Sequence, residues 1–226
     1  MLFNICMKIA LKTVVFTIGI LMAISAFGYF FWYKPTFKKP TKSNAFAFMP
    51  VKTAGNDETM FRIHNKVTQV KDYLTVNRLN NTHCFLLDMR IPSGQNRFFV
   101  YNLDKDSVEI AGLVTHGSGL KNNTDSPVFS NTPNSNCTSL GKYKIGKPYD
   151  GKFGLAYKLY GLDKTNSRAF DRFVVLHAHE CVPNSEVYPL TICESWGCPT
   201  VSPAFLVQLK AYIKVSSKPI LLWIYH

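Results

Sequence analysis

The sequence predicts a mostly β domain, a sandwich or barrel-like sheet with a few peripheral helices, preceded by an N-terminal hydrophobic helix. Three observations carry this expectation. Seven short apolar segments broken by Gly, Pro and Asn fill residues 84 to 226, an amphipathic stripe precedes them, and an uncharged run of 21 residues stands near the start. With 46% hydrophobic and 14% aromatic residues, the chain has too much apolar content to be disordered and enough for one sizeable core.

Lys8 and Lys12 precede the run from Thr13 to Tyr33, which is long enough to cross a bilayer core of roughly 30 Å. Residues 1–33 therefore read as a signal peptide or a membrane anchor. Ala23-Ile24-Ser25 and Ala26-Phe27-Gly28 offer small residues at signal-peptidase spacing, so cleaved and retained forms stand as alternatives. Residues 34–56, rich in Pro, Lys and Thr, read as a linker. Asp57 is then the expected N-cap of a helix whose buried stripe is Met60, Ile63, Val67, Val70 and Leu74, at steps of three and four. This helix opens a domain spanning 57–226.

The segments "CFLLDMRI", "RFFVYNL", "SVEIAGLVTH", "KYKIG", "FGLAYKLYGL", "RFVVLHAH" and "PILLWIY" are the expected strands of a mostly antiparallel sheet. One late helix interrupts them. Ser202 is its N-cap, Pro203 its first-turn proline, and Phe205, Leu206, Leu209 and Ile213 its buried face.

The net charge is +12, but six lysines fall in the first 43 residues, which hold no acid, so the remainder carries +6. That excess suits an anionic envelope polymer or membrane surface. No run of Lys and Arg interleaved with aromatics marks a nucleic-acid face, so no nucleic-acid partner is expected.

In "RFVVLHAHEC", strand alternation would place Phe173, Val175, His177, His179 and Cys181 on one face. With Cys193 or Cys198 these could complete a zinc tetrahedron, yet the spacing matches no familiar ligand signature and no carboxylate or third histidine joins it. A disulfide framework suits the cysteines better. Beyond the leader, Cys84, Cys137, Cys181, Cys193 and Cys198 form an odd set, so at least one is left over. Cys181 and Cys193 bracket a loop containing Pro183, Asn184, Ser185 and Pro189, which a bridge would restrain by roughly 3 kcal/mol. Cys84 and Cys137 are the expected second pair, leaving Cys198 free. A nucleophilic cysteine needs a lowered pKa and a base within reach. His177 can be that base, and Gly197 permits the tight turn that aims backbone amides at an oxyanion.

"HGSGL", "FSN", "SLG", "GLAYKLYGLD", "RFVVLH" and "ESWGCP" together resemble, in order and spacing, the murein L,D-transpeptidase catalytic domain in its YkuD-like branch with Ser-x-Gly-Cys-Pro. The resemblance covers roughly residues 84 to 226. It implies a YkuD-like β fold in which Cys198 attacks the meso-diaminopimelate carbonyl of a peptidoglycan tetrapeptide stem, D-alanine leaves, and a thioester forms. A second stem's amine then makes a 3-3 cross-link, or water completes a carboxypeptidase reaction. No metal or organic cofactor is implied. By the same carry-over His177 is the base, the amides of Gly197 and Cys198 form the oxyanion hole, and Ser195 shapes the loop. His116, Gly117, His179 and Trp196 are the expected substrate-side residues, Trp196 as a lid over the loop.

The chain also departs from the pattern. "HAHEC" lacks the glycine that usually follows the base, so His179 competes with His177, which aligns with the family histidine. "PTVSP" replaces the Arg or Asn that usually follows the cysteine, which alters substrate anchoring. The expectation is an exported enzyme of the cell envelope, periplasmic or extracytoplasmic, with peptidoglycan stems as partners. The rival is a non-catalytic peptidoglycan-binding envelope protein of the same fold.

Overall fold

The computed structural model describes residues 2–29, 57–120 and 127–226. The chain forms two compact units, one within residues 1–49 and one within 50–226. The first contains helix α1 (Leu2–Gly28), which exposes Val15, Phe16, Leu21, Met22 and Ile24. Among the described residues no helix is long and apolar enough to cross a membrane. The end of the uncharged run at 30–33 and the linker at 34–56 lie outside the described residues.

The second unit is mostly β. Its strands are β1 (His83–Asp88), β2 (Phe98–Asn102), β3 (Ser107–Gly112), β4 (Gly141–Gly151), β5 (Gly154–Gly161), β6 (Val175–Ala178), β7 (Thr200–Val201) and β8 (Leu221–Tyr225). They pair as one sheet in the order β3-β2-β1-β8-β4-β5-β6-β7. The β1–β8 and β6–β7 pairs are parallel and the rest antiparallel. All seven segments expected from the sequence contribute a strand. The eighth, β7, is two residues long, too short to leave an alternation pattern.

Both faces of the sheet are covered, and side-chain alternation decides which residue serves which face. Cys84, Leu86, Phe99, Tyr101, Leu221 and Trp223 pack against helix α2 (Asp57–Val76) through Ile63, Val67, Val70 and Leu74. Phe85, Leu87, Phe98, Val100, Leu222 and Ile224 pack with helix α3 (Pro203–Val215) through Phe205, Leu206 and Leu209. Asp57 is the first residue of α2 rather than its cap, and with Glu58 it places negative charge at the positive end of the helix dipole. The buried Asp88 carboxylate, at the end of β1, accepts from Arg62 Nε of α2 at 2.6 Å, tying helix to sheet. Ser202 caps α3 as expected, its Oγ accepting from the Phe205 N–H at 3.2 Å, with Pro203 in the first turn.

Two cysteine expectations divide here. Cys181 and Cys193 are joined in a disulfide. Cys84 and Cys137, expected as a second pair, are instead free buried thiols. Cys84 belongs to the core under α2, where burial pushes its thiol up to about 12, whereas Cys137 lies in the loop ahead of β4.

Ile63 is fully buried between α2 and the sheet, so Ile63→Ala is expected to lower unfolding free energy by about 2–4 kcal/mol. Ser202→Ala is expected to cost about 1 kcal/mol through the lost cap. Both are read from urea melts, and an Ile63→Ala chain as stable as the parent would show that α2 lies outside the folding unit.

Candidate active site

The chain reaches Cys198 through a loop whose shape follows from close backbone approaches. Gly197 has φ +106°, and a Cβ there would stand 2.6 Å from the Cys137 carbonyl oxygen, so only glycine fits. Gly117 is held just as tightly, since a Cβ on it would meet the backbone of 136–138. Its segment runs beside the loop: Ser195 N–H donates to the His116 carbonyl at 2.9 Å, and Ser118 N–H to the Ser195 carbonyl at 2.9 Å. The Cys198 carbonyl is gripped by the Ser195 and Thr115 hydroxyls at 2.6 and 3.1 Å. Ser195 thus ties the loop to the 116–118 segment and to the Cys198 carbonyl.

The Gly197 N–H is engaged, donating to Ser195 Oγ at 3.2 Å. Of the two amides expected in an oxyanion hole, that of Cys198 is the one with no acceptor among the described residues.

His177, in β6, is buried, and its ring is oriented from both sides. Nδ1 donates to the Ala178 carbonyl at 3.1 Å, which makes Nε2 the lone-pair nitrogen, and Nε2 accepts from Thr200 Oγ1 at 3.0 Å. Thr200 faces His177 because β7 pairs with β6 in that register. Phe153, at the tip of the β4–β5 hairpin, stacks on the imidazole with centroids 5.1 Å apart and planes 17° apart. Burial holds His177 below the ordinary histidine range; the Ala178 carbonyl opposes this and the charge of His179 adds to it. A neutral imidazole at neutral pH is the result.

The strand reading of "RFVVLHAHEC" is too long by both ends. β6 spans four residues, Phe173 sits before it in a turn at φ +56°, and His179 and Cys181 lie beyond it. His179 is exposed, its Nδ1 accepting from the Cys181 N–H at 3.1 Å, and Phe153 meets its ring edge-on. With Cys181 bonded to Cys193, the zinc tetrahedron loses two of its thiols. Among the described residues no three His, Cys, Asp or Glu side chains are grouped to hold a metal.

One cleft of about 450 Å³ gathers His177, His179, Ser195, Trp196 and Cys198, together with Phe153, Lys152, Thr115, Glu194 and Thr200. Trp196 is 82% exposed at its edge. His116 does not line this cleft. It lines a neighbouring one of about 630 Å³ across the Cys193–Ser195 segment, where its Nδ1 accepts from Arg97 Nη2 at 2.9 Å and its Nε2 lies 3.6 Å from Glu194. Burial and the adjacent Arg97 charge hold its pKa down to about 4.

The Cys198 thiol differs from the lowered pKa expected of a nucleophile. Burial raises it; hydrogen bonding from the Val175 backbone and the charge of Arg172 pull against that rise without reversing it. Its Sγ lies 3.8 Å from the Phe173 carbonyl. Thr115, Phe153 and Arg172 carry no pattern legible in the sequence, because each becomes a neighbour of Cys198 or His177 only through long-range pairing, and Thr200, two residues after Cys198, meets His177 only through the β6–β7 register.

The family model for the L,D-transpeptidase catalytic domain matches residues 55–225. No curated protein matches the chain. Among solved structures, the helical cell shape determining protein Pgp2 from Campylobacter jejuni is similar at 11% identity and TM-score 0.43, over 64% of this chain and 48% of that one. An L,D-transpeptidase from Xylanimonas cellulosilytica is similar at 14% identity and TM-score 0.35, over 63% and 60%. The chain thus spans less than two thirds of the length of either.

Two pH dependences follow. A thiol held above the ordinary range predicts that iodoacetamide alkylates Cys198 with a midpoint above about pH 8.5, and a midpoint below about 7 would reveal a preformed thiolate. His116 is lowered on folding, so its contribution is present above the unfolded value of about 6.5 and lost as pH falls toward about 4. Urea melts are expected to show up to about 3 kcal/mol of stability lost across that window, and His116→Gln to flatten it.

Proposed function

The chain belongs to the L,D-transpeptidase catalytic domain family, and from that premise we propose that it is an exported cysteine L,D-transpeptidase acting on peptidoglycan tetrapeptide stems. Peptidoglycan chemistry follows at the level of the family; the reaction, the residues and the location are the proposal. The observation that carries it is one cleft shared by Cys198 and His177, with Nδ1 anchored on a backbone carbonyl so that Nε2 is the proton acceptor.

In this reading thiol and imidazole both rest neutral. As Cys198 Sγ attacks the meso-diaminopimelate carbonyl, its proton passes to His177 Nε2, and the C–S bond forms while the carbonyl oxygen gains charge beside the Cys198 amide. The tetrahedral intermediate collapses, the bond to D-alanine breaks, and the imidazolium returns the proton to the leaving amine. A stem amine attacking the thioester gives a 3-3 cross-link and frees the thiol; water gives the trimmed tripeptide. His177 is assigned the base because it is buried, shares the cleft with Cys198 and is oriented from both sides, whereas His179 is exposed. The Thr200 hydroxyl that donates to His177 Nε2 turns instead to the Cys198 carbonyl, 3.4 Å away, as Nε2 takes the proton.

Export to the cell envelope is part of the proposal. The charged-then-apolar leader supports it, and so does the Cys181–Cys193 disulfide, a bond that persists in oxidising compartments. The leader at 1–33, the tether at 34–56 and the catalytic unit at 57–226 form the division proposed for the chain.

One observation favours the rival, a peptidoglycan-binding protein of the same fold without turnover: the raised Cys198 thiol. Incubation with a tetrapeptide stem separates the two. The enzyme releases D-alanine and gains the mass of a carbapenem on Cys198, and Cys198→Ala loses both. A chain that does neither, yet co-sediments with peptidoglycan, is the binding protein.

A further inference from the structure

Burial at Cys198 works against the anion that must form there, so something other than the imidazole has to hold the developing charge. The segment just before β6 is placed to do so. Phe173 takes φ +56°, a conformation non-glycine residues rarely adopt, with its side chain 84% exposed, so the turn is not explained by packing of that ring. The turn sets the Phe173 carbonyl 3.8 Å from Cys198 Sγ, where it accepts from the neutral thiol and adds to the resistance to ionisation. It also leaves Arg172 under the nucleophile loop. The Arg172 guanidinium donates to the Cys137 carbonyl at 2.6 Å, the Ser130 carbonyl at 2.9 Å, Ser139 Oγ at 3.3 Å and Ser135 Oγ at 3.4 Å.

None of those four acceptors is charged, so they fix the guanidinium without neutralising it. The Cys137 carbonyl is also the atom against which Gly197 packs, and Arg172 Nη2 lies 3.4 Å from where a Gly197 Cβ would stand. The cation is therefore locked beneath the residue that precedes Cys198.

We propose that Arg172 is a positioning residue whose fixed charge stabilises the Cys198 thiolate as it forms. This rests on the reading of Cys198 as the acyl-accepting nucleophile. Other charged or titratable groups face the same sulfur: Lys152 from the hairpin tip, His177 from β6, His179 beyond it, Glu194 from the loop, and Tyr143 from β4 behind it. Among these cations only Arg172 is held by four hydrogen bonds to neutral acceptors, whereas Lys152 sits at a hairpin tip over the Phe153 ring.

The test alkylates the full chain with iodoacetamide over roughly pH 6 to 10, reading Cys198 by peptide-resolved mass spectrometry, beside D-alanine release from a tetrapeptide stem. Arg172→Gln removes the charge, and the Cys198 midpoint is expected to rise by about one pH unit, with alkylation near pH 8 slowed about tenfold. Arg172→Lys keeps the charge but loses the fork, and its midpoint is expected to stay at the parent value. An unmoved midpoint in a folded Arg172→Gln, or a displacement of about one unit in Arg172→Lys, overturns the proposal. If the Gln variant does not fold, Arg172→Met, which keeps an alkyl stem without the charge, is read in its place against the same expected rise. Absence of D-alanine release by the parent chain would sink the transpeptidase reading separately, because the midpoints do not depend on turnover.

Discussion

Cys198 is held, at one remove, by a charge buried in the core. Arg97 is 1% exposed, and its guanidinium spends its donors on the Val114 carbonyl at 2.9 and 2.8 Å, the Ile91 carbonyl at 3.1 Å and His116 Nδ1 at 2.9 Å. A buried cation left short of acceptors costs several kcal/mol, so these partners are obligatory. Meeting them fixes the stretch from Val114 to His116, whose last carbonyl receives the Ser195 N–H, and Ser195 in turn grips the Cys198 carbonyl. Burial lowers the Arg97 pKa to about 10, which still leaves it charged at neutral pH.

The second constraint is the register of two short strands. β6 and β7 together contribute six residues, yet their pairing sets His177 against Thr200 and, through the intervening Pro199, brings Cys198 to the same cleft. Nothing in either strand is long enough to stabilise itself. Their position depends on β5 on one side and on the Thr115 to Thr200 contacts on the other, where Thr200 N–H donates to Thr115 Oγ1 at 3.1 Å and Thr115 N–H donates to the Thr200 carbonyl at 2.9 Å. The site is therefore an edge feature built on the rigid middle of the sheet.

How legible this was in the sequence depended on the range of each interaction. The stripe Ile63, Val67, Val70 and Leu74 and the Ser202-Pro203 start of α3 repeat or sit within one helical turn, and both are found where their spacing put them. Motif residues survived for the same reason: Gly197, Ser195 and Cys198 make one local turn. Cysteine pairing split by distance. Cys181 and Cys193 close a loop with a separation of 12 and are bonded, whereas Cys84 and Cys137 had only parity to join them, and Cys84 faces the core beneath α2. His116 points across the wall into the other cleft while Thr115 lines the one with Cys198, since neighbouring residues of an extended segment face opposite ways. Arg172 and Phe153 are invisible one-dimensionally because the sheet alone makes them neighbours, and Thr200, though two residues from Cys198, meets His177 only across the β6–β7 pair.

Phe153 has a consequence for how such a site changes over evolutionary time. It lies at a hairpin tip, on a ladder whose register already shifts between Ile145 and Pro148, so its backbone answers to few other residues. An aromatic shield over the His177 ring can therefore be exchanged for a smaller or more polar group while Cys198, its loop and the buried cation stay untouched. Solvent admission to the imidazole is thus a separately adjustable property, decoupled from the scaffold that positions Cys198.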